Sequence, residues 1–128
     1  MTATSERGEV VLTLAGEDYV LRPSYQACSK IEELTGQSLM QLAIHADGQT
    51  LPMQEAAIVA TEFIRAWGRE TETKSIMGVK PERVGELMFD EGMMKVIPRL
   101  AICLAGAVTG GTKKVDSDDD EDDDTGET

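Results

Sequence analysis

Between Met53 and Trp67 the apolar residues Met53, Ala56, Ala57, Ala60, Phe63, Ile64 and Trp67 recur at steps of three and four. Only an α-helix brings such positions to one side, so this stretch predicts a long helix with a buried stripe. Pro52 suits its first turn, where the missing N–H has no intrahelical partner to lose. Glu55, Glu62 and Arg65 fall off the stripe, and Gly68 is placed to stop the helix. The three alanines would let a neighbouring helix approach closely. Whatever else the chain contains must cover this face.

Upstream, Glu9–Leu14 is rich in β-branched residues and meets a turn cluster, Ala15-Gly16-Glu17-Asp18, before Tyr19–Arg22. Two short runs about a glycine-containing turn predict a β-hairpin. Alternation puts Val10, Leu12 and Leu14 on one face, with Val20 as a cross-strand neighbour. A lone hairpin is marginal in water, so helices should cover it. Ser24 is a good N-cap for a helix with Ala27, Cys28, Ile31 and Leu34 inward and Gly36 at its end. Ser38 caps a second, short helix with Leu39, Leu42 and Ala43 inward, closed at Asp47-Gly48.

Arg69–Lys80 is polar and dense in charge and reads as a loop. Pro81 opens a helix with Val84, Leu87 and Met88 on one side. Asp90 or Glu91 leads into a last helix holding Met94, Val96, Ile97, Leu100, Ala101 and Leu104. Pro98 inside it removes a backbone donor and should kink the helix or split it at Ile97. The expected class is α+β, mainly α: an N-terminal hairpin followed by four or five short helices. No alternating βα units occur, which excludes a Rossmann-like core.

The 128 residues amount to one domain, and the net charge of -12 is segregated. From Thr112 onward there are 9 acidic residues against Lys113 and Lys114. Asp116–Asp124 has no apolar residue to offset the entropy of ordering it, so residues 110–128 should form a disordered acidic tail. Residues 1–8 are polar and read as a flexible N-terminus, leaving 9–109 as the folded domain. The alternate aspartates from Asp116 mimic a calcium loop, but Glu121 stands where such a loop needs glycine. A basic partner's bait or a plain solubilising segment both fit the tail.

Several functions are disfavoured. The acidic balance repels nucleic-acid phosphates and anionic membranes, and 4% aromatic content supplies no base-stacking platform. No run approaches the ~18 apolar residues of a membrane span, and Met1–Gly8 lacks a signal-peptide core, so a cytoplasmic protein is expected. His45 has neither nucleophile nor orienting partner, and Glu32-Glu33 and Asp90-Glu91 diverge on their helices. Cys28 and Cys103 lack metal-ligand spacing and read as buried free thiols. No catalytic residue, metal ligand or cofactor motif emerges. The seven Met residues gather partly around Phe89, as Met77, Met88, Met93 and Met94. Methionine fills cores and also lines adaptable binding surfaces. Core packing is the plainer explanation; joint exposure of Phe89 with Met93 or Met94 would favour a partner groove.

The segment Gly8–Pro23, then Ile31–Leu39, Leu51-Pro52 and Val84-Gly85-Glu86-Leu87 resemble the gene transfer agent tail assembly chaperone family, over roughly residues 8–108. The family is also labelled a tail tube protein of phage-like particles. The resemblance implies a non-enzymatic chaperone that binds the helical, aggregation-prone tape measure protein, keeps it soluble while tail tube protein polymerises, and is then displaced. Separately from the resemblance, the apolar stripes on several short helices allow self-association into a homo-oligomer. A structural tail tube subunit is the alternative, disfavoured by the single hairpin, and a DNA-mimicking inhibitor a third. Lys113-Lys114 also raises a longer product of messenger slippage. Candidate partner-binding residues are Met88, Phe89, Met93, Met94, Phe63 and Trp67.

Overall fold

The computed structural model describes residues 8–110. The N-terminal segment 1–7 and the acidic segment 111–128, with the calcium-loop mimic, lie outside the described residues. The architecture is α+β and mainly α: one antiparallel hairpin followed by six helices among the described residues.

Strands β1 (Val10–Leu14) and β2 (Glu17–Leu21) pair with Leu14 opposite Glu17, leaving Ala15 and Gly16 as a two-residue turn. Both carry positive φ, 53° and 79°, the pattern of a type I′ turn, whose twist matches that of the strands. The turn is thus tighter than the predicted four-residue cluster, and Glu17 and Asp18 are already strand. Val10, Leu12 and Leu14 share the buried face with Leu21. Val20 does not: it pairs with Val11 and lies on the opposite face, though fully enclosed. Either turn length, two residues or four, places Val20 opposite Val11 or Thr13, so strand alternation alone keeps it off the face of Leu12 and Leu14.

Helix α1 (Tyr25–Thr35) starts at Ser24, whose hydroxyl accepts from Ala27 N–H, and ends at Gly36 in the left-handed conformation. Ala27 and Ile31 are buried, but Leu34, expected inward, is 46% exposed because the covered arc is narrower than the apolar one. Helix α2 (Leu39–Asp47) opens with a full capping box between Ser38 and Gln41. Leu42 and Ala46 are its buried residues. Leu39 and Ala107 line one hollow, so the start of α2 lies by the end of the last helix.

Helix α3 (Met53–Thr71) is the hub, touching β2, α1 and the three helices that follow it. Pro52 occupies its N-cap, one residue earlier than expected. Gly68 does not stop it. A Cβ there would sit 2.7 Å from Met77 N and 2.9 Å from Ile76 Cγ2, so glycine is required for close approach, not for termination. The partner in that approach is α4 (Lys74–Met77), a single helical turn within the predicted loop. Charged composition concealed it, since only Ile76 of this turn packs against the core.

Helices α5 (Pro81–Glu91) and α6 (Met93–Val108) are divided at Gly92, whose φ of 112° a side chain rarely tolerates. α6 runs unbroken through Pro98, so no split occurs at Ile97. Pro98 lies on the exposed side, where a carbonyl deprived of its helical donor can bond water. Phe63, Ile64, Leu42, Ile31, Met88, Leu100 and Leu104 form the centre of one core shared by hairpin and helices.

Candidate partner-binding site

The six candidate residues divide sharply. Phe63 and Met88 are fully enclosed, and Trp67 is buried with them. These three are core and could meet a partner only if the domain opened. Periodicity marks burial without saying what covers the stripe, which is why they were candidates at all. Met93 is half-buried against the core. Phe89 is 66% exposed and Met94 is 82% exposed. Of the apolar residues that the last helix holds, the core takes Val96, Ile97, Leu100 and Leu104, together with Cys103, and leaves Met94 outside.

Phe89 lines a hollow of about 700 Å³ between the start of α3 and the length of α5. Its apolar lining comes from Met53, Ala57, Pro81, Gly85 and Phe89. Met53 is itself 47% exposed, although its stripe predicted burial. Gly85 lets the two helices approach at the floor: a Cβ on it would lie 3.3 Å from the Ala57 Cβ, so small residues face each other where the helices meet. Glu82, Glu86 and Asp90 stand on the α5 side at every fourth residue. The Arg83 guanidinium lies 3.5 Å from Glu86, both largely in water, so this pair holds the rim only weakly. The spacing of these three acids was visible in the sequence as a helical row, but nothing there placed it beside Met53.

Other apolar side chains reach solvent elsewhere. Met40 and Ile44 on α2, Ile102 on α6 and Tyr25 at the start of α1 are all exposed. Tyr25 lines two hollows whose walls mix polar and apolar surface.

Ionisable groups gather at one hollow, where Lys30, Glu33, Glu62, Arg65 and Arg69 stand with Tyr25, and neither His45 nor the two thiols line it. His45 occupies the last turn of α2, where a cation complements the helix dipole. Cys28 is half-buried, and burial together with the nearby Glu32 carboxylate pushes its thiol up to about 11. Cys103 is buried, shifted upward by desolvation first, and its thiol donates to the carbonyls of Leu21 and Gly8 at 3.7 and 3.8 Å. Neither thiol is a ready nucleophile at neutral pH. Among the described residues no group of three or more His, Cys, Asp or Glu could hold a metal ion. No helix among them is long and apolar enough to cross a membrane. Comparison with family models, curated proteins and solved structures finds no match to this chain.

Proposed function

We propose that this chain is a non-enzymatic assembly chaperone of phage-like tails, acting in the bacterial cytoplasm. It binds the tape measure protein and holds it soluble while tail tube protein polymerises. The observation that carries this reading is the open apolar groove of Met53, Ala57, Gly85 and Phe89. A folded chain that leaves a phenylalanine two-thirds exposed over a hollow presents surface that another polypeptide can cover. The resemblance of residues 8–108 to tail assembly chaperones agrees with such a role. Thioether and aromatic contacts suit binding that must later be reversed.

Co-expression with the tape measure protein tests the reading: its soluble yield should rise several-fold, and unchanged yield would overturn the role. Mass spectrometry of purified particles supplies the second arm. The chaperone should be absent or scarce there, whereas recovery in stoichiometric amount would mark a virion subunit instead.

A further inference from the structure

We infer that the groove between α3 and α5 receives an amphipathic helix that carries lysine or arginine beside its apolar face. The inference rests on the polypeptide-binding reading above and names the chemistry of the segment bound. Two features of the groove select that occupant. The floor is apolar and small-residue, Ala57 and Gly85, with Met53 and Phe89 standing at its sides. α5 supplies a wall of 11 residues, about 16 Å at the helical rise, long enough to meet three turns of a partner helix. Apolar anchors three and four residues apart would lie along such a wall.

Charge decides which amphipathic helix fits. Glu82, Glu86 and Asp90 line one side in a row, and Arg83, the sole cation among the described residues lining the groove, lies beside Glu86. An acidic helix would bring like charge against this row, whereas a basic one gains three opposed carboxylates. The same argument disfavours any peptide with the charge density of Asp116–Asp124 as an occupant. Across an exposed rim these charges govern specificity and the rate of encounter more than final affinity, so binding should be salt-sensitive.

The test uses the full 128-residue chain and two 18-residue helical peptides that share a leucine face. One peptide flanks that face with lysine and the other with glutamate. Two variants probe the groove: Phe89→Ser, and the triple Glu82→Lys, Glu86→Lys, Asp90→Lys, each checked for wild-type helicity. Both retain the acidic C-terminal segment, so charge attraction to that segment is the same throughout. The lysine peptide should bind wild type, lose at least tenfold in affinity with either variant, and lose affinity as salt rises. The glutamate peptide should bind only the triple variant. Lysine-peptide affinity unchanged by both variants would overturn the inference. Concentration-dependent self-association abolished by Phe89→Ser would also overturn it, by showing a second copy in the groove. Co-expression of both variants with the tape measure protein separates this failure from that of the broader reading. Variants that solubilise as well as wild type would sink the groove alone, whereas a wild type without effect would sink the chaperone role and leave the peptide result to judge the groove.

Discussion

Arg65 binds Glu62 one turn back on α3, Nη1 to Oε2 at 3.0 Å, while its Nε donates to the carbonyl of Val79 at 2.9 Å. One guanidinium therefore neutralises a carboxylate whose side chain is only 5% exposed and also fastens the segment leading into α5. The geometry of a guanidinium, with donors diverging from one plane, permits both bonds together.

Arg65→Met should leave that carboxylate buried without its cation and free the Val79 carbonyl. The expected loss is roughly 1–3 kcal/mol, kept modest because water reaches the arginine. Arg65→Met combined with Glu62→Met should recover part of it, since two apolar side chains leave no uncompensated charge. Urea unfolding followed by circular dichroism measures both.

Gly68→Ala is expected to destabilise despite alanine's better helix propensity. The new methyl group would meet the Met77 backbone nitrogen at 2.7 Å, and neither α3 nor α4 can yield without moving backbone. A loss of about 1–3 kcal/mol follows from overpacking of this kind. Equal or greater stability would mean that α4 does not pack where it is described.

Ala15→Gly should stabilise the hairpin by up to about 1 kcal/mol, because Ala15 holds a φ of 53° that glycine adopts without a clashing Cβ. The same substitution at the solvent-facing, ordinary-φ position Ala105 in α6 should destabilise by a similar amount. Paired melting curves check the sign at each site.

The two phenylalanines should behave oppositely. Phe63→Ala removes a fully enclosed ring and should cost about 3–5 kcal/mol. Phe89→Ser changes a ring already mostly in water and should alter stability by less than about 0.5 kcal/mol. Thermal unfolding of both variants separates core from surface among residues that look alike in the sequence.

The thiols set an alkaline limit. Cys28 stays protonated up to about 11 in the folded chain against 9.0 for an ordinary thiol. Below the ordinary value both states are protonated and the contribution to stability is fully present; it is lost as pH rises from about 9 towards about 11, because the unfolded chain ionises first. Cys103 shifts the same way. The melting temperature should therefore show no thiol effect between pH 6 and 8 and fall above pH 9, with Cys28→Ala blunting the fall. Thiol titration at pH 8 should be slow for the native chain and immediate in denaturant.

What could be read from the sequence is what is local. Ser24, Gly36 and Ser38 bound α1 and α2 because capping needs only a neighbour's backbone. The hairpin was legible from β-branched runs around Gly16, but its register depended on Ala15 taking a positive φ against its preference. Gly68 shows the limit more clearly: a glycine at a helix end and a glycine at a helix crossing look identical until Ile76 and Met77 arrive from elsewhere. For the groove, Phe89 was singled out with Met88, its buried neighbour, because aromatic and thioether residues serve both settings. Met53 reads as one more stripe residue and the Glu82–Glu86–Asp90 row as a solvated face, since only the packing of α3 on α5 sets them side by side.

Because α3 contacts the hairpin strand β2 as well as α1, α4, α5 and α6, no half of this domain retains a floor once that helix frays. Amides in the middle of α3 should exchange with solvent only when the whole molecule opens. A protease would accordingly find the folded body either intact or wholly digestible, with no stable fragment between.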